Sequence, residues 1–140
     1  MSSLAEIIHR FKKHGYKMTP QRRAILEVLT DGTSHLTAEQ LHNLVKERIP
    51  GISLATVYNT LRELTAIQEL RELDLGQGER YFEIRQEEHA HQVCLECGRI
   101  RDVPADLERL QSLLQPNRDF VPAQCMVTIY GYCTDHLPLR

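Results

Sequence analysis

Residues 53–84 read SLATVYNTLRELTAIQELRELDLGQGERYFEI, and the change of texture inside this stretch decides the fold. Ser53 can cap a helix whose Val57, Leu61 and Leu64 form one apolar stripe, which leaves Ala55, Tyr58, Asn59 and Arg62 on the opposite face. Such a face has what a helix needs to enter a DNA major groove: hydrogen bonds to base edges and apolar contact with thymine methyls. An ordinary solvated face has the same composition. LRELD, the turn residues Gly76 and Gly78, and RYFEI then read as strand, hairpin and strand. Helices followed by a short hairpin predict a winged helix, in which the third or fourth helix reads the major groove and the hairpin lies over the backbone.

Upstream, the pattern is a run of short helices. Ser3 and Glu6 have capping-box spacing ahead of Leu4, Ile7, Ile8 and Phe11, and Gly15 ends that segment. Thr19-Pro20 opens a second helix burying Ala24, Ile25, Val28 and Leu29, which Asp31-Gly32 stops. Thr37 and Gln40 repeat the capping box before Leu41, Leu44 and Val45, with Pro50-Gly51 as the break. The net charge is -2, yet Arg10, Lys12, Lys13, Lys17, Arg22 and Arg23 lie between His9 and Arg23 with no acid among them. A basic edge on a near-neutral body is compatible with phosphate contact, and equally with a solvated helix face.

A chain of 140 residues with 41% hydrophobic content can bury one core or two small ones. No apolar run approaches the roughly 18 residues of a membrane span, and the N-terminus lacks the order of a secretory signal, so a cytoplasmic protein without membrane attachment is expected. Stable disulfides are not expected there. Cys94, Cys97, Cys125 and Cys133 therefore read as metal ligands, redox groups or buried thiols. From Glu83 onward acids outnumber bases, Leu107, Leu110 and Leu114 mark one more helix after Pro104, and MVTIYGY alternates like a strand. A domain this small needs a metal staple or a partner chain.

The staple is legible in EEHAHQVCLECGRI, residues 87–100. Cys94-x-x-Cys97-Gly is a zinc-knuckle turn, and Cys133-x-x-His136 repeats the spacing, so a Cys3His zinc site closes the second domain. A redox dithiol is disfavoured, because no strand-then-helix pattern places Cys94 at a helix N-terminus. If residues 89–94 are extended, His89 and His91 project to one side and can reach one ion; two surface histidines in an acidic loop are the alternative. Among enzymes, a zinc hydrolase or nucleobase deaminase pairs His-x-Glu with Pro-Cys-x-x-Cys. Here His91 stands in place of the Glu and Val93 in place of the Pro, which leaves a thiol oxidoreductase as the remaining catalytic rival.

TPQRRAIL (19–26), HLTAEQLH (35–42), SLATVYNTLREL (53–64), YFEI (81–84), HAHQVCLECGRIRDV (89–103) and IYGYC (129–133), in this order and spacing, resemble the ferric uptake regulator family of metal-responsive repressors over nearly the whole chain. The resemblance implies an α+β protein: a winged-helix DNA-binding domain over 1–82, a hinge over 83–88, and a small α/β dimerisation domain with structural zinc over 89–140. It implies no enzymatic activity and a homodimer on an inverted-repeat operator in double-stranded DNA. The position of Lys17 matches a lysine that enters the minor groove, and Tyr58 matches the recognition-helix tyrosine. Arg22, Thr56, Asn59 and Arg62 complete the expected DNA-binding set, Asn59 standing where many relatives carry Arg.

The same resemblance assigns a regulatory metal to His35, Glu83, His89 and His91, with Asp102 completing the site in some branches. Imidazoles with carboxylates suit Fe(II), Mn(II), Zn(II) or Ni(II) without choosing among them. The peroxide-sensing branch, in which bound iron oxidises a histidine, is the alternative within the family; that branch usually has Asp at the position of Glu83. Two features depart from the family pattern. His136 replaces the last cysteine of a second Cys-x-x-Cys, and a third site near Glu88, Glu108 and Cys125 is expected to be absent or altered, since Ala90 replaces a potential ligand. Cys125 is then a buried thiol or a substitute for His136.

Overall fold

Side-chain caps set where the helices begin. In the computed structural model, which describes residues 2–32, 35–114 and 118–137, α1 (Leu4–Lys13) starts at Ser3, whose hydroxyl accepts from the Glu6 N–H. Thr19 does the same for α2 (Pro20–Thr30), with Pro20 in the first turn where its missing N–H costs nothing. Thr37 and Gln40 form both bonds of a capping box at α3 (Ala38–Val45), and Ser53 caps α4 (Leu54–Ala66). Gly15 and Gly32 adopt φ of +92° and +87° after α1 and α2, a backbone region open to glycine.

The chain divides into two units, Met1–Gln86 and Glu87–Arg140. In the first, the helices close on a core that includes Ile7, Phe11, Ile25, Leu26, Leu41, Val57, Leu61 and Leu64. Each such side chain contributes about 1.5–3 kcal/mol by leaving water. After α4, β1 (Leu70–Asp74) and β2 (Arg80–Ile84) pair antiparallel from Leu70↔Ile84 to Asp74↔Arg80, making the wing. Gly76 and Gly78 supply the positive φ of its tip, and the Asp74 carboxylate accepts the Gly76 N–H at 3.0 Å. A further bridge, Leu36 with Phe82, adds the segment before α3 to this sheet through two backbone bonds of 2.8 and 3.3 Å.

In the second unit, β3 (His89–Cys94) is the central strand. It pairs antiparallel with β4 (Ile100–Pro104) and parallel with β5 (Thr128–Gly131), giving the order β4-β3-β5. A parallel neighbour requires a crossover, and the connection from β4 to β5 carries α5 (Leu107–Leu114). Cys133 precedes a single 3-10 turn, Thr134–His136. The buried apolar residues of this unit, among those described, are Ala90, Val93, Cys94 and Leu107.

Three expectations about the core change. Leu44 is 38% exposed, because the buried stripe of α3 runs through Ala38, Leu41 and Val45 and leaves Leu44 at its edge. On α5 Leu107 is buried and Leu110 half-buried, but Leu114 is 73% exposed, so only the start of the expected apolar face is covered. The expected C-terminal strand is confined to Thr128–Gly131. No described helix is long and apolar enough to cross a membrane.

Candidate metal centres and nucleic-acid face

Cys94 lies at the end of β3 and Cys97 in the turn behind it, where the Gly98 N–H donates to the Cys94 carbonyl at 2.9 Å. Gly98 has φ of +71°, which tightens the chain behind the thiols. Cys133 follows β5, the parallel neighbour of β3, and the 3-10 turn swings His136 back. The donor atoms of Cys94, Cys97, Cys133 and His136 all lie within 4.8 Å of one another. Cys94 Sγ is 3.8 Å from His136 Nδ1 and Cys97 Sγ is 3.9 Å from Cys133 Sγ. Donors held tetrahedrally about 2.3 Å from a central ion stand about 3.8 Å apart, so the set fits zinc.

Charge supports the same conclusion. Backbone N–H groups of Cys97, then Cys133, aimed at the Cys94 sulfur lower its pKa to about 5, making it a thiolate at neutral pH. Burial, followed by hydrogen bonding to Cys94 and Cys97, pushes the Cys133 thiol up. Three sulfurs this close can ionise together only around a cation. Cys94 ends a strand and opens a turn, so it lacks the helix N-terminus that activates redox thiols.

Each unit also carries imidazole and carboxylate donors without thiolate. In the first, the Leu36–Phe82 bridge places His35 opposite Glu83, and His35 Nε2 lies 3.2 Å from Glu83 Oε2. Glu83 itself is paired across the wing with Arg71, whose Nη1 is 3.9 Å from Oε1. In the second unit, His89 and His91 project from one face of β3 as strand alternation requires. Their Nε2 atoms are 3.1 Å apart and their rings meet edge to face. Asp102, the register partner of His91 on β4, brings Oδ1 to 3.6 Å from both nitrogens. The Glu87 carbonyl lies 2.8 Å from His89 Nδ1, which fixes that ring. Two imidazoles and a carboxylate converging on one point are a set of borderline and hard donors suited to a divalent transition metal. Glu88, Glu108 and Cys125 join no group of three or more donors among the described residues.

The candidate nucleic-acid face lies on the first unit. Lys17, Gln21, Arg22, Thr56, Asn59 and Arg62 line an open groove between the start of α2 and the outer side of α4. Lys17, Asn59 and Arg62 are exposed. Arg22 is engaged internally: it donates to Glu63 at 2.9 Å and to the Lys17 carbonyl at 2.7 Å, and its guanidinium stands 5.5 Å from the Phe11 ring centre. Tyr58 donates its phenol to Glu39 on α3 at 2.9 Å, and this bond is the main cause of its raised pKa. Sequence reading missed Glu39 and Arg71. The signal for Arg71 was the register of LRELD against RYFEI, whereas nothing in the sequence pointed Glu39 at Tyr58.

The model of the Ferric uptake regulator family matches residues 13–130. The Ferric uptake regulation protein of Bacillus subtilis is 37% identical over 136 residues, 90% of this chain and 91% of that protein. The Peroxide-responsive repressor PerR of Staphylococcus epidermidis is 35% identical over 133 residues, 94% of this chain and 89% of that protein. Among solved structures, the ferric uptake regulator of Helicobacter pylori has the same fold, with a TM-score of 0.82 at 24% identity over 96% of this chain and 93% of that one.

Proposed function

The chain belongs to the ferric uptake regulator family of metal-responsive transcriptional repressors, and on that premise we propose which residues hold its metals and how they control DNA binding. Cys94, Cys97, Cys133 and His136 hold a permanent zinc ion that completes the second unit. His35 and Glu83 of the first unit, with His89, His91 and Asp102 of the second, share one exchangeable ion, Fe(II), Mn(II) or Zn(II). The observation that carries this reading is the convergence of His89, His91 and Asp102, a donor set without thiolate beside one rich in it.

Donors drawn from both units can close on one ion at one relative angle of the units, and that angle is the repressing one. Metal and DNA then raise each other's affinity by the same factor. The repressor acts as a homodimer on an inverted repeat, its two α4 helices about one helical turn apart. Dimerisation is supported by β5, an edge strand with Ile129 and Tyr130 exposed, and by Leu113 and Leu114 on α5, 76% and 73% exposed. Lys17, Thr56, Tyr58, Asn59 and Arg62 meet the DNA, while Arg22 braces α2 against α4 beneath them.

Selection of duplexes from a random pool with and without Mn(II) tests the whole reading. An inverted repeat should be recovered with metal alone, and His89→Ala should abolish recovery while leaving one zinc per chain. Recovery by His89→Ala equal to that of the native protein removes the shared site. A second reading, peroxide sensing, is supported by the 35% identity to a peroxide-responsive repressor. It requires a one-oxygen mass gain on His35 or His91 after the iron form meets peroxide, and an unmodified protein excludes it.

A further inference from the structure

The wing gives Glu83 two partners of different kinds. Its Oε2 lies 3.2 Å from His35 Nε2, and its Oε1 lies 3.9 Å from Nη1 of Arg71. The second contact is set by the fold, because Arg71 and Glu83 are direct register partners of β1 and β2 and project to the same face. Glu83 is buried and the Arg71 side chain is 16% exposed, so the two charges meet in a site poorly screened by water. The Arg71 Nε is also buried and has no hydrogen-bond partner among the described residues. A guanidinium placed where part of its hydrogen-bonding capacity goes unused offers something other than a well-made salt bridge.

We propose that Arg71 sets the metal affinity of the regulatory site by lending a fixed positive charge to its ligand Glu83. The inference rests on the reading of Glu83 as a ligand given above. A buried carboxylate is costly unless paired, and in the metal-free protein Arg71 supplies the pairing charge. When a divalent ion is bound, the same guanidinium faces a second cation across one carboxylate. It withdraws electron density from Oε1 and so makes Glu83 a weaker donor. Carboxylates that back metal-bound histidines strengthen their ligands; a cation behind a metal-bound carboxylate weakens its ligand. The site therefore binds less tightly than its donors alone permit, which suits an ion that must leave when its concentration falls.

The test is a Mn(II) titration of the zinc-loaded, full-length protein against a fluorescent chelator. Arg71→Gln should bind Mn(II) about 10- to 100-fold more tightly, the range by which groups just outside a metal's ligand shell alter affinity. Arg71→Lys, which keeps the charge, should stay near the native affinity. Glu83→Gln should weaken binding, and adding Arg71→Gln to it should change nothing further. Arg71→Gln should also lower the Tm of the Mn(II)-free protein and enlarge the Tm rise on adding Mn(II). Unchanged or weaker Mn(II) binding by Arg71→Gln, with Glu83→Gln still impaired, overturns the role of Arg71 and leaves the site reading intact. Native affinity in Glu83→Gln removes the site reading itself, and this inference with it.

Discussion

Replacing Cys97 by serine removes one of four donors from the thiol cluster, and the effect on each unit depends on the size of its core. The described buried apolar residues of the second unit, Ala90, Val93, Cys94 and Leu107, contribute on the order of 5–10 kcal/mol by burial. A structural zinc in a small domain contributes about 10–16 kcal/mol. Zinc is thus the larger favourable contribution, and loss of even a third of it, about 4 kcal/mol, is comparable with the whole stability of many domains. The first unit, with Phe11, Leu41, Leu61 and Leu64 in its own core, has no such dependence. Cys97→Ser should therefore open the second unit and leave the first folded. Hydrogen exchange reads this directly: the His91 N–H, bonded to the Val127 carbonyl at 2.9 Å, and the Cys94 N–H, bonded to the Arg99 carbonyl at 3.0 Å, should lose protection. Amides of α4 should keep theirs. A Cys97→Ser protein that retains one zinc per chain and a protected β3 refutes the assignment.

Leu61→Ala should cost the first unit about 2–5 kcal/mol in urea unfolding without changing zinc content, since Leu61 is fully buried in the helical core; a cost below about 1 kcal/mol is inconsistent with that packing. Acidification should release zinc as Cys94 takes up its proton. Its folded pKa of about 5 lies below its ordinary value, so the thiolate's contribution is fully present above about pH 8.5 and is lost as pH falls through about 5. Zinc release followed with a chromophoric chelator should have its midpoint well below the ordinary thiol range, and a midpoint near about pH 8.5 contradicts the N–H stabilisation of that sulfur. Tyr58→Ala should lower operator affinity by about tenfold or more with an unchanged salt slope, whereas Lys17→Ala should reduce the slope by about one. Equal slopes for the two variants contradict the assignment of base reading to Tyr58 and phosphate contact to Lys17.

What could be read from the sequence was whatever rests on local chemistry. Ser3, Thr19, Thr37 and Ser53 announced helix starts because a cap is satisfied within three residues, and each one does cap. Cys94-x-x-Cys97 and Cys133-x-x-His136 were legible for the same reason, each pair being a single turn, and the fold brings the pairs together through the parallel pairing of β3 with β5. What escaped depends on contacts distant in sequence. The Leu36–Phe82 bridge that sets His35 opposite Glu83 is one pair of backbone bonds with no periodic signature. The partners of Arg22 and Tyr58, Glu63 and Glu39, lie on other helices, so the basic run marked Arg22 and helical periodicity put Tyr58 on a polar face without revealing that neighbours already hold them. Leu114 misled because periodicity marks an apolar face and cannot say what covers it.

The division of donors between the sites follows from the same difference in cores. The first unit buries enough apolar surface to fold without an ion, so His35 and Glu83 need not be filled for the wing to exist. On the proposed assignment an ion there can come and go, and imidazole and carboxylate donors, with a guanidinium behind Glu83, would give it moderate affinity. The second unit buries little, so the ion proposed to complete it would have to stay, and thiolates on zinc would provide that permanence. His91 and Cys94 stand three residues apart on β3, one in each set. A strand pinned at one end by the proposed zinc would present its histidines at the other end in fixed register against Asp102, and such preorganisation would make an exchangeable ion a sharp signal rather than a second folding event.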